Sequence, residues 1–240
     1  MAQAADHKAY CPGYAPTTVT HHEWRTAENS AMHLTPTLQL MAKDNPKLTL
    51  LDVGAGSGTI SASLAKYMPE GHITATDLSE DILERAAEHA KSVGVSNISF
   101  QPANVYELPF ANDTFDLVHA SQVLIHLDSP VQALKEMLRV TKPGGGIVAC
   151  RETADLGYWP AFPDLPGLTK SFDILAATHA ASGGCPTAGT RLVSWAMKAG
   201  ASRGRITATM GTWCYSTAEE RRMWGEWPFF FIFISFHGCM

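Results

Sequence analysis

Two aspartates and three glycines carry the most readable chemistry in this chain. The stretch LLDVGAGSGTIS, Leu50 to Ser61, puts Asp52 just ahead of Gly54, Gly56 and Gly58, and Asp77 follows in ITATDLS, nineteen residues past Gly58. Glycines spaced two apart let the backbone turn tightly and let a ligand lie close against it. A carboxylate at the end of the next strand is placed to accept hydrogen bonds from both hydroxyls of a ribose. Together they predict a nucleoside site. A dinucleotide fingerprint GxGxxG from Gly54 needs glycine at position 59, where Thr59 stands. A phosphate-cradling GxxxxGK needs a lysine directly after its glycine, and the first lysine past Gly58 is Lys66. Alone, Asp77 would read as an acid favoured at a helix start; the neighbouring loop makes it a ribose ligand.

The elements that must position these residues alternate between apolar runs and helical patterns, the mark of a parallel sheet covered on both faces. Strands are expected at Leu48–Val53, Ile73–Thr76, Ile98–Phe100, Phe115–Ala120 and Ile147–Cys150. Helical spacing covers Thr26–Ala42, with Pro36 starting or kinking a turn, then Thr59–Tyr67, a stripe capped by Ser79 and ending near Gly94, and Val131–Val140 before the punctuation KPGGG. The predicted fold class is α/β, a doubly wound, mostly parallel sheet with helices on both faces and a small cap.

Composition limits the partners. Hydrophobic residues make up 45% of the 240 and charged ones 17%, and the net charge is -5, so no footprint for a nucleic-acid backbone is visible. A small or uncharged partner suits the chain better. Five scattered cysteines without a CxxC pair frame neither a metal site nor a disulfide scaffold, which predicts a reducing compartment and no metal. MAQAADHKAY lacks the apolar core of a signal peptide, and no run reaches the ~20 apolar residues of a membrane span. The expectation is a cytoplasmic protein of unstated oligomeric state.

DVGAGSG, TDLS, PANVYELPFANDTFDLVHAS and LRVTKPGGGIV, in that order over about a hundred residues, resemble the class I S-adenosylmethionine-dependent methyltransferases, and among them the UbiE-like small-molecule branch. THHEWRTAENSAMHL upstream, with AGTRLVSWAMKAG and TWCYSTAEERRMWG downstream, resemble fungal members of that branch, so the likeness runs from Val19 to Glu226. The resemblance implies the Rossmann-like class I methyltransferase fold and S-adenosyl-L-methionine as cofactor. It sets Asp52, Gly54, Ala55, Gly56, Ser57 and Gly58 against the methionine part, and Asp77 with Leu78 beside the ribose. Asn104 and Val105 flank the adenine, and Ser121 faces the methionine. Arg25 pairs with the methionine carboxylate, assisted by Asn29. Asn104 suits a buried turn equally well.

Methyl transfer from a sulfonium asks the protein mainly for alignment of acceptor and methyl, and for a base only if the acceptor must lose a proton. His126, in SQVLIHLDSP, is the candidate base, although Ile125 and Leu127 also suit a packed residue. Tyr14 and His22, in the segment expected to close over the cofactor, and Tyr158, Trp159 and Phe162, in ADLGYWPAFPDLPGL, are candidate acceptor-binding residues. The division expected is an N-terminal lid and helix over 1–47, a cofactor-binding core over 48–152, an acceptor cap over 153–188, a helix and strand over 189–226, and an apolar tail over 227–240. For that tail, WPFFFIFISFHGCM, two readings stand: Phe229 to Phe236 forms a last antiparallel strand against Arg205 to Tyr215, or the tail is foreign to the fold. Function has three readings: methyl transfer to a small metabolite of quinone or secondary metabolism, cofactor binding without turnover, or, despite Thr59, an NAD-dependent oxidoreductase.

Overall fold

The computed structural model describes residues 22–158 and 164–223. Its centre is a five-stranded sheet of β1 (Thr49–Val53), β2 (His72–Asp77), β3 (Ile98–Pro102), β4 (Leu117–Ser121) and β5 (Ile147–Arg151), all parallel, in the order β3-β2-β1-β4-β5. Central parallel strands are buried on both faces, which is why TLLDV and LVHAS read as nearly unbroken apolar runs. The chain winds outward from β1 to β3, then returns across β1 to β4 and β5. The strand order therefore reverses between β1 and β4, and a crevice opens there at the carboxyl ends of the strands.

Two apolar layers hold the helices to the sheet. On one face Leu51, Val53, Val118 and Ala120 pack with Leu134, Met137 and Trp195, from α5 (Pro130–Val140) and α7 (Ala188–Ala199). On the other, Leu50, Ile73, Leu117 and Ala149 meet Ala27, Leu38 and Leu64. Those three come from α1 (Ala27–Ser30), α2 (Thr35–Asp44) and α3 (Thr59–Ala65). The amphipathic α4 (Glu80–Ser92) buries Ile82, Leu83, Ala86 and Ala90, and the Ser79 hydroxyl caps it by accepting from Ile82 N at 3.4 Å. The cap insertion holds α6 (Pro166–Ala181). Among the described residues no helix is long and apolar enough to cross a membrane.

Three expectations change. The helix expected over Thr26–Ala42 is two helices, because Pro36 lacks the N–H a continuous helix needs and sits instead in the first turn of α2. The strands run a residue or two past their expected ends, to Asp77, Pro102, Ser121 and Arg151. Among the described residues the strand expected over Arg205–Tyr215 does not form: Arg203–Arg205 makes a 3-10 turn and residues 206–215 pair in no ladder. Its expected partner, Phe229 to Phe236, lies outside the described residues, as do Tyr14, Trp159 and Phe162.

Candidate functional site

The glycine loop leaves β1 and enters α3 beneath the end of β2. Asp77 closes it: its Oδ2 accepts from Gly56 N at 3.0 Å and its Oδ1 from Ser79 N at 3.3 Å. The carboxylate thus stands at the crevice rim, gripping the loop, with Leu78 beside it 60% exposed. Ala55 N bonds Thr76 O at 2.8 Å, so the loop is tied to β2 at two points.

The three glycines have different reasons to be glycine. All have positive φ, at +67° for Gly54, +54° for Gly56 and +72° for Gly58. A Cβ at Gly54 would lie 2.5 Å from Val123 Cγ2, and one at Gly58 would lie 2.7 Å from Ala86 Cβ and 3.3 Å from its Cα. At Gly56 a Cβ would meet open space. Gly54 and Gly58 thus make room for the protein's own turn and helix, while Gly56 has open space beside it. Gly58→Ala is expected to lose about 2–4 kcal/mol of stability, from left-handed strain plus overpacking against the backbone of α4, read as a lower urea midpoint.

Asp52 departs from its expected place. It points not into the crevice but into the interior, 3% exposed, where its Oδ2 accepts from Ser61 Oγ at 2.5 Å and its Oδ1 from His119 Nδ1 at 2.7 Å. His119 is fully buried on β4, opposite Asp52 in the sheet register. Two polar residues in adjacent apolar strands, in LLDVG and DLVHAS, were the signal that could have found this pair. His119 Nε2 and the Ser121 hydroxyl are buried with no hydrogen-bond partner among the described residues. In the parallel ladder both residues lie on the sheet face that carries Arg151.

The predicted adenine wall is fastened from below. Arg139 on α5 donates to Phe110 O at 2.8 Å and to Leu108 O at 3.0 Å, and pairs with Glu136, whose carboxylate also accepts from Leu108 N. Within that loop Asn104 Oδ1 accepts from Tyr106 N at 2.9 Å, so its amide builds the turn. Val105 is buried in the core, and Leu78, next to Asp77, is exposed.

The N-terminal segment crosses the start of α3. His22 O accepts from Thr59 Oγ1 at 3.4 Å, and Ala27 N donates to Ser63 Oγ at 2.6 Å. Asn29 is committed to this segment's own turn, its side chain accepting from Thr26 N and donating to Trp24 O, so it does not reach toward the crevice. Arg25 does: its guanidinium lies 5.1 Å over the Trp213 ring, and its charge is felt at His126, Arg151 and Glu152. Arg151 stacks on the same indole at 3.9 Å, and burial with Arg25 nearby lowers its pKa to about 10. Trp213 Nε1 donates to Asn29 O at 2.8 Å, while Trp24 packs on Trp213 and Tyr215. None of this clasp was predicted. The aromatics of TWCYS were visible in the sequence, but Arg151 and the segment 24–29 that Trp213 meets lie far from it along the chain.

His126 ends the 3-10 turn Leu124–His126, with its ring 4.9 Å from that of His179. Burial first, then His179 and Arg25, lower its pKa to about 3, so the imidazole is neutral near pH 7 and a poor proton acceptor. Tyr158 is 73% exposed and touches none of these groups in a ring contact. Among the described residues no group of three or more histidines, cysteines or acids could hold a metal ion.

Comparison with known proteins agrees with this geometry. A family model described as a methyltransferase domain matches residues 44–181, more than half of the chain. The methyltransferase C1B3.06c of Schizosaccharomyces pombe is 36% identical over 233 residues, 93% of this chain and 79% of the relative. The demethylmenaquinone methyltransferase of Listeria welshimeri is 35% identical over 125 residues, 52% of this chain and 50% of the relative, so the match to it spans about half of its length. Among solved structures, the trans-methyltransferase CalH in complex with SAH superposes with a TM-score of 0.53 at 22% identity, over 69% of this chain and 48% of that one, a likeness of fold. The parallel order β3-β2-β1-β4-β5, the glycine loop closed by Asp77 and these matches place the chain in the class I S-adenosylmethionine-dependent methyltransferase family.

Proposed function

We propose that this chain transfers the methyl group of S-adenosylmethionine to a small, largely apolar acceptor, as in quinone or secondary metabolism. The observation that carries the reading is the carboxylate of Asp77 bridging to Gly56 N across the one part of the loop whose missing Cβ faces open space. The residues present fit the cofactor: Asp77 at the rim for ribose hydroxyls, Leu78 exposed beside it for a ring face, and the buried Ser121 hydroxyl still able to form a hydrogen bond. Arg25, held on Trp213 at the crevice mouth, suits a carboxylate. The relative named a demethylmenaquinone methyltransferase supports a quinone-like acceptor. So do the exposed apolar side chains of the insertion, Tyr158, Leu165 and Ile174.

The bound cofactor would supply an electrophilic methyl on a sulfonium, and the chain's residues would supply alignment and exclusion of water. The N-terminal segment over α3 and α6 beside the 3-10 turn flank the place where acceptor and methyl would meet. His126, with so low a basicity, is better suited to accept a hydrogen bond from an acceptor hydroxyl than to remove its proton, which revises its role as general base.

Calorimetry with S-adenosylhomocysteine tests the reading. One-to-one binding to the native chain is expected, and no heat over a range of temperatures would overturn it. Incubation with labelled S-adenosylmethionine and an apolar metabolite extract should then yield a labelled small product. Binding without any product would favour a cofactor-binding protein that does not turn over.

A further inference from the structure

The turn that carries His126 is held by one carboxylate. Glu152, just past β5, accepts from three successive backbone N–H groups: Oε1 from Val123 at 3.0 Å and Leu124 at 2.8 Å, and Oε2 from Ile125 at 3.2 Å. These are the donors a 3-10 turn leaves unsatisfied at its start, gathered on a single side chain. The other side of the turn is gripped through Ile125 O, which accepts from His179 Nε2 and Cys185 N, both at 2.7 Å. The approach to the turn is unusual too. Gln122 has φ +58°, which non-glycine residues seldom adopt, and is held by its N–H on Arg151 O and by Thr153 Oγ1 on its own Oε1. Val123, in turn, packs where Gly54 lacks a Cβ. The turn thus separates the glycine loop from His126, and Glu152 is its anchor.

We propose that Glu152 is a positioning residue for methyl transfer: its ionised carboxylate sets the 123–126 turn and with it the wall between cofactor loop and acceptor. This rests on the functional reading above only in taking that wall as the acceptor side of the crevice. The ionised form is needed because a carboxylate only accepts, whereas a protonated carboxyl turns one oxygen into a donor facing an N–H. Oε2, with its single, longest bond, is where the proton would go, so the bond to Ile125 is the one lost. Burial raises the Glu152 pKa from its ordinary 4.5 to about 7, against the pull of the three N–H groups and Arg25. The groups facing it are Arg25 from the N-terminal segment and Arg151 and Cys150 from its own strand, with His126 and His179 on the far side of the turn. Arginine stays charged throughout, burial raises the Cys150 thiol far above neutrality, and both histidines are shifted downward. Among these described groups Glu152 is the one whose pKa is raised to about 7.

The sign of the linkage follows. With its native pKa above its unfolded one, the folded chain binds this proton more tightly between pH 4.5 and about 7. Stability from this group therefore falls as pH rises through that window, while the turn tightens.

NMR of the native chain without cofactor or acceptor tests the proposal, so its outcome is separate from whether S-adenosylhomocysteine binds. Between about pH 5.5 and 8.5 the Ile125 amide should titrate most, with Val123 and Leu124 following at the same midpoint near 7. The His126 ring signals should shift with that midpoint although the ring itself stays neutral. Glu152→Gln should abolish the midpoint. In a transfer assay it should lower kcat about tenfold to a hundredfold with the KM for cofactor within about twofold. An Ile125 amide that does not move, His126 signals indifferent to the transition, or full kcat in the glutamine variant would each overturn the proposal.

Discussion

Asp77→Ala is expected to weaken S-adenosylhomocysteine binding by about a hundredfold to ten-thousandfold while barely changing the unfolding midpoint. Two hydrogen bonds from ribose hydroxyls to a carboxylate are each worth about 1.5–3 kcal/mol, and about 1.4 kcal/mol is a factor of ten in affinity. The same side chain also organises the loop itself, through Gly56 N and Ser79 N, so its loss would leave a less ordered site as well as two missing acceptors. Stability is spared because Asp77 sits at the rim, where water replaces the carboxylate at both N–H groups. Asp77→Asn separates the contributions: one amide oxygen still accepts, so binding should fall by only about tenfold. Calorimetry on the three proteins checks this, and an alanine variant that binds as tightly as the native chain would remove Asp77 from the site.

His119→Ala has the opposite profile, a large loss of stability from a residue buried in the interior. Asp52 and His119 are 3% and 0% exposed and joined at 2.7 Å, and the remaining Asp52 oxygen is held by Ser61. Truncating the ring strands a buried carboxylate oxygen and leaves a cavity between β4 and the N-terminal helices. Breaking a buried pair from one side costs about 3–5 kcal/mol, a large share of the ~5–15 kcal/mol that holds a domain folded. For a chain of this size the thermal midpoint should drop by roughly 10 °C. Asp52→Asn should cost less, because the amide keeps the shape and an acceptor. Thermal and urea unfolding of both variants check the order, and equal stability in the two would mean that the pair is not what holds Asp52.

The sheet, its layers and the loop at its centre were legible from the sequence, and the reason is local. Period-free apolar runs such as TLLDV and LVHAS mark strands buried on both sides, Ser79 caps α4 through its own turn, and three glycines with positive φ mark one sharp corner. Asp77 was legible because its distance from the loop is set by one strand and one crossover. What each side chain faces was not. Asp52 and His119 meet because β1 and β4 become neighbours across sixty-seven residues, so which way Asp52 points depends on topology. The roles of Gly54 and Gly58 depend on Val123 and Ala86, the anchor of the His126 turn on Glu152, and the clasp at Arg25 on Trp213. Sequence alone determined the fold class and the methyltransferase family, since those follow from patterns within one element and the next. Tertiary structure alone decided which polar groups are interior struts and which line the crevice, since burial and hydrogen-bond partners are properties of the assembled sheet.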